Sequence, residues 1–213
     1  MVAAVAYIPS PPLLLAALGG GPPDLRSACQ KAISVLGGVD RVVVLGAGPV
    51  AGWVTGSVDA SSWGARSTPC LDPLPLALAV GSTLLGQRPH ELFAVAGDAL
   101  PELAAGTGLL VVGDGSARRS EKAPGHYDAR AEGFDVTVAR AFSDGDPRQL
   151  ADLDPELAAD LLVGGLAAWQ AAAALTAGTR WQASLHLDAA PYGVGYLVAS
   201  WTPVNSGSHG AAS

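Results

Sequence analysis

Three short segments carry the residue types that chemistry needs, and each follows an apolar run. They are Pro9-Ser10-Pro11-Pro12, Gly46-Ala47-Gly48-Pro49 and Gly113-Asp114-Gly115-Ser116-Ala117-Arg118-Arg119. Ser10 and Ser116 offer hydroxyls, Asp114 a carboxylate, and Arg118 and Arg119 fixed positive charge. Ligands of open α/β sheets bind outside the carboxyl ends of the parallel strands, so these loops are expected to converge on one crevice. Ser116, bracketed by Asp114 and the two arginines, suits an anion-binding loop; a solvated, salt-bridged loop is the plainer alternative. Neither serine sits in a Gly-x-Ser-x-Gly turn, which leaves a nucleophile without support.

The Leu45-Gly46-Ala47-Gly48 turn has the wrong glycine spacing for a dinucleotide fingerprint. No Walker lysine is present either, since the only lysines are Lys31 and Lys122. The histidines are His90, His126, His186 and His209, and no two of them fall at a metal-ligand spacing. His90 reads as solvated, and His126, in the polar stretch after residue 119, is the best functional candidate. His186 alternates with Asp188 along a strand, so the two are expected on one face. Cys29 and Cys70 do not make a disulfide framework and read as thiols in a reducing compartment.

Those loops need a scaffold. The 213-residue chain is 49% hydrophobic and 15% charged, which demands extensive burial and suits one domain. A net charge of −7 and a pI near 4.9 exclude a general nucleic-acid or anionic-membrane binder. The first basic residue is Arg26 and prolines interrupt the first apolar run, so no export leader and a cytoplasmic location are expected.

Short apolar runs at residues 2–8, 41–46, 93–96 and 108–113 read as buried strands, and residues 50–72 as loop with one short strand. Helices are expected from Pro22-Pro23-Asp24, over residues 74–85, and over residues 129–142. A further one runs from Asp154-Pro155-Glu156 unbroken to Ala177. Residues 181–187 and 192–201 close the sheet as antiparallel neighbours. The expectation is one α/β domain over residues 1–202, a central mixed sheet flanked by helices, with a flexible tail over residues 203–213.

Together the segments resemble a family. Strand-then-PxPP, strand-then-GAGP, and strand-then-GDGSARR followed by APGHYDARAEGFD are similar to the LigB-like class III extradiol dioxygenases and their Memo-like relatives. The late PYGVGYLVA shares that likeness, and residues 113–135 match best. The resemblance implies a sheet wrapped by helices. In active members, ferrous iron is held by two histidines and a glutamate, with a further histidine as acid/base. Here the first ligand position is Ser10, the second Ala47 and the acid/base position Ala117. The glutamate stretch aligns with Leu162-Val163-Gly164. Ferrous iron needs imidazole and carboxylate donors, which alanine lacks and a serine hydroxyl replaces poorly.

The resemblance therefore implies a degenerate member with no cofactor and no ring cleavage. Its crevice would be lined by Ser10, Asp114, Ser116, Arg118, His126 and Tyr127 and would take a small anionic or aromatic ligand. One alternative is an active metal enzyme whose ligands have moved to His126, His186 and an acid such as Asp114 or Asp188. Another is a structural subunit, as a homo-oligomer or with a protein partner.

Overall fold

The computed structural model describes residues 1–65 and 70–204. Seven strands form one mixed sheet: β1 Ala4–Ile8, β2 Val42–Ala47, β3 Gly52–Val54, β4 Glu91–Val95, β5 Gly108–Val112, β6 Trp181–Ala189 and β7 Tyr196–Pro203. The order across it is β3-β4-β2-β5-β1-β7-β6. β4, β2, β5 and β1 run parallel, while β3, β7 and β6 pair antiparallel with their neighbours. The parallel block puts the ends of β1, β2 and β5 on one edge, as the sequence requires.

Each central strand feeds two cores by simple alternation. Val5, Tyr7, Val43, Leu45, Leu109 and Val111 face one helical layer: α3 Arg130–Asp144, α4 Pro147–Ala151, α5 Pro155–Asp160 and α6 Leu166–Thr176. Ala4, Ala6, Ile8, Val42, Val44, Leu110 and Val112 face the other, α1 Pro23–Ile33 and α2 Leu76–Leu85. Covering both faces is why these strands read as continuous apolar runs. Helix starts follow the sequence: Asp146 and Asp154 cap α4 and α5 ahead of Pro147 and Pro155, each side chain accepting a first-turn amide. Among the described residues no helix is long and apolar enough to cross a membrane.

Four expectations need correction. The helix from residue 154 to 177 is two helices, broken over residues 161–165, where Leu162 takes a left-handed backbone with φ of 55°. The second concerns the stretch over residues 192–195, which is loop rather than strand, because its backbone serves the loop after β5 instead of the sheet. The third is the tail: Pro203 is still in β7 and Val204 N–H donates to Arg180 O, while residues 205–213 lie outside the described residues, His209 with them.

The fourth is the shared face of His186 and Asp188. Leu185 pairs with Ala199 and Leu187 with Val198, so His186 is the extra residue of a bulge. The bulge inverts the alternation, and Leu185 packs into the α3/α6 core while Leu187 packs into the α1/α2 core. The His186 ring reaches Ser200 Oγ at 2.8 Å and feels Lys31 of α1, whereas the charge of Asp188 is felt by Asp135 of α3. The pair is split across the sheet.

The first core is built round an aromatic stack. Tyr7 lies 4.4 Å from Phe142 and 4.8 Å from Trp201 between ring centroids, and Phe142 lies 5.7 Å from Trp169. Trp201 Nε1–H donates to Phe142 O, but the Tyr7 hydroxyl is buried without a partner among the described residues. An unmade buried hydrogen bond costs about 1–3 kcal/mol. Tyr7→Phe keeps the ring contacts and is expected to raise stability by about 1 kcal/mol in urea unfolding; a loss of that size would mean the hydroxyl is satisfied in solution.

Candidate functional site

β1 and β5 are neighbours in register, Ile8 beside Val112, so the residues just past each end meet. Ser10 N–H donates to Asp114 Oδ1 at 2.7 Å, and Ser10 Oγ–H donates to Asp114 Oδ2 at 3.0 Å. The prolines on both sides of Ser10 end β1 and leave its amide as the single free donor of the turn. Part of Asp114 remains exposed, yet its carboxyl is desolvated. Burial pushes its pKa up to about 6 against the lowering effect of the two Ser10 bonds. Tyr196, buried at the start of β7, has its phenol pushed up by burial first and by the Asp114 charge second. Its ring lies 6.4 Å from that of the half-exposed Tyr192.

The rest of the loop is locked from beneath. Ser116 is fully buried: its N–H donates to Asp135 Oδ1 at 2.8 Å, its hydroxyl donates to Leu161 O at 3.0 Å, and its Oγ accepts from Arg118 N–H. It therefore lines no crevice. Asp135, also fully buried, accepts Arg119 Nη1–H at 2.9 Å on its other oxygen. A Cβ on Gly195 would come within 2.2 Å of Asp135 Oδ2, and one on Gly115 within 2.6 Å of Oδ1. The carboxylate thus sits in a slot that only glycine walls leave open. Backbone bonds from Gly115 to Gly195, from Gly195 to Ser116 and from Arg119 to Gly193 join the loop after β5 to the 193–195 turn. Burial raises the Asp135 pKa, opposed by the Ser116 and Arg119 bonds and helped by the charge of Asp188.

The break between α5 and α6 completes the edge. Leu161 O accepts both Ser116 Oγ–H and Ala117 N–H, and Gly165 N–H donates to Asp114 O at 2.8 Å. Gly113 and Gly165 touch backbone to backbone, since a Cβ on Gly113 would lie 2.3 Å from Gly165 Cα. Carbonyls and amides that an unbroken helix would use internally hold residues 113–117 instead, which is why the expected helix is interrupted here.

Three of the four positions that the family resemblance singles out therefore meet at this edge: Ser10, Ala117 and residues 162–164. A Cβ on exposed Gly164 would lie 4.0 Å from that of Asp114. Ala47 ends β2 on the far side of β5, in register with Val95. Neither alanine carries a donor atom, and both Ser10 donors are committed to Asp114. This donor set does not fit ferrous iron.

The arginines are not arranged to receive an anion. Arg119 is spent on Asp135, with Glu132 at 3.7 Å. Arg118 adds to the positive field that holds the Asp128 carboxyl well below its usual range, the bonds from Arg130 being the larger cause. Its Nε is buried without a partner among the described residues. His126 is exposed on a left-handed backbone with φ of 58°, and Tyr127 beside it is exposed. His90, expected to be solvated, engages Arg88 O and Ser82 Oγ through its two ring nitrogens. Among the described residues no three of His, Cys, Asp and Glu gather in a way that would hold a metal ion.

Two of the larger clefts open elsewhere. One of about 420 Å³ is lined by Trp53, Val58, His90 and Leu92, and one of about 580 Å³ by residues 144–148 and 177–181. Asp135 is the residue that sequence reasoning passed over. The signal was there: on α3, Ala131, Phe134, Val138, Ala141 and Phe142 make an apolar stripe, and Asp135 sits within it as its one carboxylate.

Scans of the chain against protein-family models and against curated proteins give no match.

Proposed function

We propose that this chain is a non-catalytic relative of the LigB-like extradiol dioxygenases that binds a small aromatic molecule beside Asp114. The observation that carries the reading is the Ser10–Asp114 pair. The first ligand position of the family pattern holds a serine whose hydroxyl and backbone amide both close onto a neighbouring carboxylate. Alanine at residues 47 and 117 removes the second ligand and the acid/base group, and the loss of a general base alone lowers a rate about 10²–10⁴-fold. The scaffold round these positions supports the same reading: parallel strands whose ends carry the three loops, with residues 161–165 folded back onto them.

Asp114 sets the ligand chemistry. Among the described residues it has two neutral donors, no cationic partner and unused acceptor capacity, so it favours a ligand that brings hydroxyl or ammonium donors and disfavours an anion. Half-exposed Tyr192 offers an aromatic face beside Tyr196, whose buried phenol feels the Asp114 charge. Calorimetric titration with catechol and with an aromatic amine tests this. Saturable binding that weakens at least tenfold in Asp114→Ala is expected, with no yellow ring-opened product on aerobic incubation with ferrous ion. Ring-opened product that is lost on denaturation overturns the non-catalytic reading, and no binding by either compound at millimolar concentration overturns the binding one.

A further inference from the structure

Ser82 lies in the last turn of α2, and His90 stands directly before β4. The turn between them is pinned. The Arg88 guanidinium donates to Leu36 O and Val39 O, and Pro89 fixes its own φ. The Arg88 carbonyl is thereby held in place, 2.7 Å from His90 Nδ1. A carbonyl oxygen only accepts, so Nδ1 carries the ring proton, and in the neutral imidazole Nε2 keeps its lone pair. That lone pair faces Ser82 Oγ at 2.9 Å and accepts its proton. A hydroxyl bonded to an imidazole whose other nitrogen is oriented by a third group is the arrangement that activates a serine nucleophile.

Such a pair can also do no more than tie a strand to a helix. What separates this one is its place: both residues line the cleft of about 420 Å³, and neither is fully buried. Trp53, Val58, Leu74 and Leu92 give the cleft apolar walls, with the Trp53 indole held edge-on to Phe93 at 5.3 Å. Thr55 brings a second hydroxyl to the same lining, a donor of the kind that serves a developing oxyanion. Among the described residues the one charged side chain in the lining is Glu91, which is paired with Arg41. The cleft thus suits a neutral, largely apolar substrate.

We propose that Ser82 is the nucleophile, and His90 its general base, of an esterase site for neutral esters with a small aromatic or apolar acyl group. This site is separate from the Asp114 edge, stands whether or not that edge binds anything, and restores none of the iron chemistry lost there. Ser82 Oγ bonds to the carbonyl carbon while its proton passes to His90 Nε2. The carbon–oxygen bond to the alcohol then breaks, and the departing oxygen takes that proton. Water attacks the acyl-serine and gives a proton to the same nitrogen; the acid leaves and Ser82 regains its hydrogen. The Arg88 carbonyl orients the imidazole but bears no full charge, so it stabilises the imidazolium less than the carboxylate of a triad does. Activated esters are therefore the expected substrates, and amides are not.

Labelling by a fluorophosphonate and hydrolysis of p-nitrophenyl acetate and benzoate test the assignment. The folded wild type is expected to take one label, mapped to Ser82 by peptide mass spectrometry, and the urea-unfolded chain none. Ser82→Ala is expected to abolish the label and lower kcat/KM for both esters about 100-fold or more. His90→Gln is expected to slow labelling and hydrolysis by about 10²–10⁴-fold. Circular dichroism checks each fold. Ser82→Ala removes only a hydroxyl from a partly exposed position, so it decides the question even if His90→Gln disturbs the turn. An unlabelled wild type, a label on another residue, or hydrolysis that survives Ser82→Ala overturns the proposal. So does labelling at the wild-type rate in a folded His90→Gln.

Discussion

Asp135→Ala is expected to lower the stability of the folded chain by about 3–5 kcal/mol, the range for breaking a buried pair from one side. The change leaves the Arg119 guanidinium, whose side chain is only 17% exposed, without its close counter-charge; Glu132 is too far away and too solvated to replace it. It also orphans the Ser116 N–H inside the protein, because Asp135 Oδ1 is its acceptor. The glycine walls at Gly115 and Gly195 cannot collapse into the space, since their backbones are tied to each other. Urea unfolding at neutral pH with an unchanged denaturant slope would read the loss directly. Hydrogen exchange would place it, the protection at Ser116 and Gly195 falling furthest. A loss below about 1 kcal/mol would show that the slot around Asp135 holds nothing.

The second large effect is a dependence on pH. Asp114 has a pKa of about 6 in the folded chain against an ordinary value of 3.8. A carboxyl whose pKa is raised by folding binds its proton more tightly in the folded state. Its contribution is therefore fully present below about pH 4 and lost as the pH rises through about 6. The substitution Asp114→Asn can keep both contacts, the new amide oxygen accepting from Ser10 N–H and the new amide nitrogen donating to Ser10 Oγ. This variant is therefore expected to be more stable than the wild type by about 1–3 kcal/mol at pH 8, and close to it at pH 4. The difference between the two stability curves, taken from about pH 3.5 to 8, isolates this carboxyl from Asp128 and Asp146, whose lowered values act in the opposite direction. A difference that does not change with pH would mean that Asp114 ionises as if it were in water.

How much of this the sequence reveals depends on which contacts are local. Strands and caps are local: Val42-Val43-Val44-Leu45 and Asp154-Pro155 announce themselves within a few residues, and the structure has them there. The strand-end loops follow, because parallel strands leave by the same edge. What stays hidden is set by partners far along the chain. The helix expected over residues 154–177 is right in composition, yet it breaks because Leu161 O and Gly165 N–H bond a loop far earlier in the chain, at residues 114–117. Simple alternation puts His186 and Asp188 together, and one bulge defined by pairing with β7 separates them. Ser116 looks available in a polar run, yet Asp135 and Leu161 bury it. Arg119 likewise looks free to meet a ligand until Asp135 is found beneath it.

The position of β1 in the sheet has a consequence for how the molecule is made. Of the seven strands β1 is made first, and it is flanked by β5 and β7, so Tyr7 pairs with Val111 on one side and with Ala199 on the other. Its second neighbour is the last of the seven to be synthesised. Until then the edge of β1 stays open, and the Tyr7–Phe142–Trp169 cluster lacks Trp201. Closure of the sheet thus waits for β7 and pairs the first of the seven strands with the last, and such long-range pairing is slow. The nascent chain must meanwhile keep an apolar strand edge from its neighbours, and a messenger truncated before β7 would release a product that never covers it.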